Sequence, residues 1–144
     1  MKMADVSKKD VTYRIAIARG IVSMGKGTIE AIKNGAVPKG DVLTTAKIAG
    51  IMAAKKTPEL LPLCHPIQIE NVNVELVVKS DSIEIKSSVS ASAKTGVEME
   101  ALTSVAVTAL TIYDMCKPLD KNIVISEIVL LEKRGGKSGT YIRR

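Results

Sequence analysis

The sequence has very few aromatic residues: three tyrosines and no phenylalanine or tryptophan among 144 residues. Proteins that bind single-stranded nucleic acid stack the bases on aromatic side chains, so this chain has almost no surface for that type of binding. Its two cysteines, Cys64 and Cys116, are too few for a disulfide scaffold or a four-cysteine zinc site. Because no signal-peptide pattern precedes them, we expect a cytoplasmic location.

Long apolar runs are also absent. Lys47 and Lys55 interrupt the most apolar helical stretch, so nothing approaches the roughly 20 residues that a membrane-spanning helix needs. The hydrophobic content of 46% is nevertheless sufficient for a core, and the length suits one domain over residues 1–144. We therefore expect one folded domain that is not associated with a membrane.

The net charge of +6 is unevenly distributed. Residues 133–144 contain five basic side chains and no acidic one, and the rest of the chain is nearly balanced. A balanced body with a basic C-terminal tail suits a small polyanion or a subunit contact better than a nucleic-acid duplex.

Hydrophobic periodicity predicts a strand, two helices, a hairpin, a long helix and a final strand. Val11, Tyr13, Ile15 and Ile17 alternate with polar or small residues, which places Arg14 on the less apolar face of the first strand. Two helices are predicted next: one begins at about Thr28 and ends before Gly35, and the other is capped by Asp41 and runs to about Lys55. They are followed by a hairpin over 71–91, a helix over 97–116 and a strand over 123–131.

In the 97–116 helix an apolar stripe includes Met99, Val105 and Leu110. The order of elements predicts an α+β protein, a ferredoxin-like sandwich whose antiparallel sheet carries its helices on one face. That fold hosts many activities, so function must come from the site.

Two glycine motifs resemble nucleotide-binding loops but fail on spacing. Gly136-Lys137-Ser138 would need a glycine where Leu131 stands, and Gly25-Lys26-Gly27 would need one where Glu30 stands. The 135–139 segment remains either a solvated tail or a flexible loop whose amides and Lys137 close over phosphate.

His65, the sole histidine, lies in the constrained segment Leu63-Cys64-His65-Pro66. It is either a loop histidine that satisfies backbone groups or a site residue, and adjacent Cys64 and His65 make a poor zinc pair. At the start of the long helix, Thr95 and Glu98 are spaced as a capping box, while Lys94-Thr95-Gly96 offers amides to an anion or a polar ring.

Asp114 and Lys117 lie on one face at the other end of the same helix, as a surface ion pair or, if buried, as a proton-transfer pair. At 1.5 Å per residue, Glu98 and Asp114 are about 24 Å apart. If both ends are catalytic, the site must combine them across subunits, as a two-fold interface would.

Several blocks together resemble the molybdenum cofactor biosynthesis protein C family, the cyclic pyranopterin monophosphate synthases. They are Lys39-Gly40-Asp41-Val42, Ala49-Gly50-Ile51, residues 61–66, residues 94–103, residues 110–117 and the ending at 135–139. The resemblance runs from about Asp5 through Gly139.

The resemblance implies a lyase that converts a cyclised dihydro-GTP into cyclic pyranopterin monophosphate and diphosphate, with no net redox change. It implies that Asp114, Lys117 and Lys39 are catalytic. It also implies that seven residues contact substrate: Leu63, Cys64, His65, Met99, Glu100, Glu98 and Arg14. The family looks hexameric, a trimer of dimers with sites between subunits.

Two alternatives from other functional classes are a ferredoxin-like RNA-binding module and a nucleotide sensor without catalysis. The first is disfavoured because no aromatic residue lies on the 72–91 strands. We predict no resident cofactor and no protein metal site; because the sequence shows no clear octahedral cage of acidic residues, it does not decide whether magnesium assists the triphosphate.

Overall fold

The computed structural model describes all 144 residues and confirms the predicted order of the main elements. Its strands are β1 (Thr12–Ser23), β2 (Asn71–Val78), β3 (Ser82–Ala93), β4 (Val124–Arg134) and β5 (Tyr141–Ile142). Its helices are α1 (Lys26–Lys33), α2 (Val42–Lys55), α3 (Thr57–Leu60) and α4 (Glu98–Cys116). None of these helices combines the length and hydropathy that a membrane crossing needs.

All the strands form one antiparallel sheet in the order β2-β3-β1-β4-β5. Helices α2 and α4 pack on each other, and α4 packs on the central strands. The core lies between this helical layer and the sheet, which confirms the α+β ferredoxin-like sandwich.

The predicted facing of β1 is wrong. Its buried face carries Arg14, Ala16, Ala18 and Val22, whereas Ile15 is half-buried on the other face. Small side chains suit the helix-covered face because α4 approaches the strand closely: a Cβ at Gly20 would clash with Val105. Arg14, which we expected on the less apolar face, is therefore buried, with 7% of its surface exposed.

The buried stripe of α4 also differs from the prediction. Met99 and Leu110 are 41% and 57% exposed, while Val105 is fully buried as predicted. The helix also buries the small polar residues Ser104 and Thr108, which pack against Gly50 of α2, where an added Cβ would collide with the Thr108 hydroxyl. Close helix packing therefore selected small residues over large apolar ones.

Helix caps fix the loops that carry candidate residues. Asp41 accepts a hydrogen bond from Thr44 N at 3.1 Å, which confirms the predicted cap of α2. Helix α1 has no side-chain cap from its own N-cap residue, and Asp120 supplies an acceptor to Gly25 N at 2.8 Å. Thr57-Pro58 ends α2 as predicted but also starts the short α3.

The predicted basic tail over 133–144 is only partly a tail. Lys133 and Arg134 belong to β4, and Tyr141–Ile142 returns as β5 against Glu132 and Lys133. The turn between these strands uses positive φ at three glycines: Gly135, Gly136 and Gly139.

Candidate functional site

The C-terminal end of α4 carries a cluster that we call the lysine–aspartate cluster: Lys39, Asp114 and Lys117. Lys39 Nζ lies 3.1 Å from Asp114 Oδ2, and Lys117 Nζ lies 3.1 Å from Asp114 Oδ1. Lys39 also donates to the Asp114 carbonyl oxygen at 3.2 Å. One carboxylate thus holds two ammonium groups close together.

Hydrogen bonds from Lys39 and then Lys117 hold the pKa of the Asp114 carboxyl below its ordinary value. The aspartate is therefore ionised at neutral pH. Both lysine side chains are about half exposed in the single chain, at 44% and 56%. The burial that a proton-transfer pair requires is not provided by this chain alone.

The other end of α4 borders a cavity of about 200 Å³ that we call the carboxyl cavity. Six of the predicted substrate-contact residues line it: Leu63, Cys64, His65, Glu98, Met99 and Glu100. The side chains of Leu63 and Met99 are 44% and 41% exposed, so apolar surface stands open beside carboxyl groups. This combination suits a flat polar ring, which needs apolar contact on its faces and hydrogen bonds at its edges.

Glu100 is the most unusual residue of this cavity, because it is only 3% exposed. Burial, followed by the charge of Glu98, raises the pKa of the Glu100 carboxyl. Burial, followed by Glu100, also raises the pKa of the Cys64 thiol. Cys64 is therefore a neutral thiol at neutral pH and is not activated as a nucleophile.

The predicted capping box is wrong. Helix α4 begins at Glu98 with Val97 at its N-cap and with no side-chain cap, so Thr95 lies too early to cap it. The Glu98 carboxylate turns back over Gly96, where a Cβ would collide with it, and lies 3.7 Å from Lys133 Nζ. Glu98 is thereby held toward the cavity by β4.

Beside the carboxyl cavity lies a second cavity of about 340 Å³, which we call the basic cavity. It has no hydrophobic lining residue and is formed by seven residues: Lys8, Lys9, Asp10, Thr12, Arg14, Gly136 and Lys137. Arg14 Nε donates to the Ala93 carbonyl at 3.0 Å, which fixes the guanidinium. A Cβ at Gly136 would collide with that guanidinium, so the glycine lets the 135–139 turn pack directly onto Arg14.

The predicted site residues thus fall into two groups. Nine of the ten lie in the lysine–aspartate cluster or the carboxyl cavity, and Arg14 lies in the adjacent basic cavity. The two ends of α4 are about 24 Å apart, measured along 16 residues at 1.5 Å each. The structure does not bring the two groups together within one chain, and the chain has no cluster of three or more metal-ligating side chains.

Sequence reasoning missed the contribution of the first eleven residues. Ala4, Val6 and Lys9 line the carboxyl cavity, and Lys8 and Lys9 line the basic cavity. The adjacent lysines were a visible signal, but their partner Arg14 was placed on the wrong face of β1.

Comparisons with known proteins show which family the chain is similar to. The model of the MoaC family matches residues 3–136. A cyclic pyranopterin monophosphate synthase of Novosphingobium aromaticivorans is 57% identical over 140 residues, covering 97% of this chain and 89% of the relative. Synthases of the same name from Heliobacterium modesticaldum and Streptomyces griseus are each 54% identical, covering 99% of this chain and 91% and 80% of the relatives.

The matched region contains the lysine–aspartate cluster, the carboxyl cavity and Arg14 of the basic cavity. With the family model covering nearly all of the chain and relatives above 50% identity along its length, the chain belongs to the MoaC family.

Proposed function

We propose that this protein is a cyclic pyranopterin monophosphate synthase, a lyase acting on cyclised dihydro-GTP. A sugar hydroxyl oxygen forms a bond to the α-phosphorus, the bond between the α- and β-phosphates breaks, and diphosphate leaves. The purine-derived rings rearrange to a pterin without net oxidation or reduction. The names of the relatives support this activity.

The observation that carries the proposal is the placement of polar groups at the two ends of α4. One end holds amines with a carboxylate, and the other holds a ring-sized cavity. The carboxyl cavity, at about 200 Å³, is smaller than the roughly 300–1,000 Å³ of most small-molecule sites. A second chain that adds its lysine–aspartate cluster would complete the site.

The lysine–aspartate cluster suits the proton transfers of the reaction. Lys39 and Lys117 exchange protons with the sugar and ring atoms, while ionised Asp114 holds both amines in position. Covering by a partner chain would supply the burial that both lysines lack here.

The carboxyl cavity suits the ring system. The carboxyl groups of Glu100 and Glu98 offer hydrogen-bonding oxygens to the ring edge. Leu63 and Met99 provide apolar contact, and His65 and Cys64 complete the lining. The basic cavity with Arg14 suits the phosphates.

The proposal includes a hexameric assembly, a trimer of dimers with sites shared between subunits, in the cytoplasm. The exposed apolar side chains of the helical layer, Ile48, Met52 and Leu110, support burial against another subunit. The proposal includes no resident cofactor, and assays with added magnesium or with a chelator test that part.

Turnover is the direct test. Purified protein incubated with cyclised dihydro-GTP should release one diphosphate per substrate and form a pterin that fluoresces after oxidation. The Lys117→Ala variant serves as the inactive control. Substrate that is bound and recovered unchanged would show a sensor instead of an enzyme.

A further inference from the structure

The two amines of the lysine–aspartate cluster come from segments that belong to no helix or strand. Lys117 is the C-cap residue of α4, and Lys39 lies in the loop between α1 and α2. The geometry of the cluster therefore depends on what holds these two segments together.

Asp120 lies three residues after Lys117 and joins the turn after α4 to α1. Its Oδ2 accepts hydrogen bonds from Gly25 N at 2.8 Å and from Thr28 Oγ1 at 3.3 Å. Its Oδ1 accepts one from Asn122 N at 2.8 Å, within its own turn. These bonds, from the Gly25 amide first and then the Asn122 amide, hold the pKa of the Asp120 carboxyl below its ordinary value.

Helix α1 transmits this contact to Lys39. Beyond the end of the helix, Ala36 N donates to the Ala31 carbonyl at 2.8 Å, and Gly40 N donates to the Val37 carbonyl at 3.0 Å. The turn that contains Lys39 thus follows directly on the last bonded residue after the helix. A shift of α1 would therefore move Lys39.

The ion pair at the other end of this segment is weaker than the Asp120 contact. Lys39 and Asp114 form an exposed pair, and such pairs contribute little free energy. Asp120 instead accepts three hydrogen bonds as an ionised carboxylate, and bonds of this kind are the stronger ones. The pair thus needs the Asp120 contact to keep its two segments in place.

We propose that Asp120 is a positioning residue that holds α1 against the turn after α4 and thereby keeps the Lys39 amine on Asp114. Asp120 acts through Lys39 and does not contact the substrate itself. This inference rests on the proposed function, because it concerns the geometry of an amine that takes part in the reaction.

Carbodiimide cross-linking of the full-length protein tests the positioning without any substrate. The reagent joins an amine to a carboxylate with loss of water where the two are in contact, and peptide mass spectrometry gives the yield of each link. In Asp120→Ala the yield of the Lys39–Asp114 link should fall at least about fivefold, because the charge-assisted bonds to α1 are lost. The Lys79–Glu84 pair, with 2.7 Å between Nζ and Oε1, is the internal control and should link equally in both proteins.

Gly25→Pro removes the same contact from the other partner, because proline has no amide hydrogen. The φ of Gly25 is −62°, which suits proline. This variant should also lose most of the Lys39–Asp114 link. A yield equal to that of the unmodified protein in either variant would overturn the proposal.

Kinetics with cyclised dihydro-GTP separate positioning from a general loss of stability. Asp120→Ala should lower kcat at least about tenfold with KM nearly unchanged, because a displaced amine transfers protons poorly. In a Lys39→Ala background the same substitution should lower kcat by less than about twofold, since the residue through which it acts is already gone. Multiplicative losses in the double variant would overturn the proposal.

Val74→Ala is the control for stability, since Val74 is fully buried on β2 and no residue of the cluster lies on that strand. It should lower the thermal midpoint and leave kcat unchanged. An equal loss of kcat in Val74→Ala and Asp120→Ala would show that Asp120 acts through stability alone, which would overturn its positioning role.

The two readouts also separate this inference from the proposed function. Loss of the Lys39–Asp114 link in Asp120→Ala, in a protein that never converts cyclised dihydro-GTP, supports the positioning contact and contradicts the synthase activity. Turnover by Asp120→Ala with an unchanged kcat supports the activity and overturns the role of Asp120.

Discussion

The two lysines beside Asp114 differ in how they reach it. Lys117 lies near Asp114 because the two residues are three positions apart at the end of one helix, whereas Lys39 lies in a loop 75 residues earlier in the chain. Both make exposed ion pairs, and exposed pairs contribute little to folding stability. We therefore propose a chemical role for both lysines.

Replacing either lysine should separate activity from stability. Lys39→Ala and Lys117→Ala should each lower kcat by about 10²–10⁴-fold, the usual contribution of a general acid or base. The thermal midpoint and the oligomeric state should stay unchanged. Steady-state kinetics and light scattering measure these quantities, with exposed Lys47→Ala on α2 as the control. Near-native rates in one variant would remove that lysine from the mechanism.

Glu100 makes the stability of the protein dependent on pH. Its raised folded-state pKa means that the folded protein favours the protonated form. The free energy of unfolding should fall as pH rises from the unfolded pKa of about 4.3 through the higher folded value. Above that value the whole penalty for burying the charge is present.

Glu100→Gln should remove this penalty. The variant should be more stable than the unmodified protein at pH 7, by about 1.4 kcal/mol for each unit of pKa shift, and equally stable near pH 4. Urea unfolding at a fixed protein concentration across this range measures the difference. Glu98→Gln, at a more exposed carboxylate paired with Lys133, is the control. Parallel stability curves for Glu100→Gln and the unmodified protein would contradict the prediction.

At the scale of elements, the contact between α2 and α4 depends on Gly50. A Cβ at this position would lie 3.1 Å from the backbone oxygen of Ser104 and would collide with the Thr108 hydroxyl. Neither helix can move away without opening the core that both cover. The contact therefore fixes α4, which carries candidate residues at both ends.

Gly50→Ala should lower the free energy of unfolding by about 1–3 kcal/mol, the usual cost of overpacking. For a domain of this size, each kcal/mol lowers the thermal midpoint by about 2–4 °C. Gly27→Ala in α1 is the matched control, since nothing lies within 4 Å of its Cβ position, and it should be neutral or stabilising by up to about 1 kcal/mol. Equal midpoints for the two variants would show that α2 and α4 adjust freely.

At the scale of the whole molecule, the length of α4 supports the proposed sharing of the site between chains. Its ends carry complementary groups that are about 24 Å apart, beyond the reach of one metabolite. An interface that places the start of one α4 beside the end of another would bring them together.

Mixing inactive chains tests this arrangement. Glu100→Ala and Asp114→Ala, refolded together in equal amounts, should recover about a quarter of the unmodified activity, because one site in four then combines two intact ends. Each variant refolded alone should stay inactive. Turnover of cyclised dihydro-GTP measures the recovery. A mixture as inactive as its components, with mixed oligomers demonstrated, would place the whole site in one chain.

The order of the elements and the local motifs were predictable because they depend on neighbours in the chain. The cap at Asp41 and the pair Asp114–Lys117 involve residues three positions apart. The capping box at Thr95 failed because α4 begins only at Glu98, and the Glu98 carboxylate lies near Lys133 of β4. Local spacing could not report a partner on β4.

The sequence by itself determined the α+β class, the two polar ends of α4 and, through its resemblance, the family. The tertiary structure alone decided that Arg14 faces the helices and that Gly136 packs on it. It alone placed Lys9 between two cavities. The physical reason is that periodicity identifies the two faces of a strand but does not show which of them is buried. In this protein, close packing buried the face with the smaller side chains.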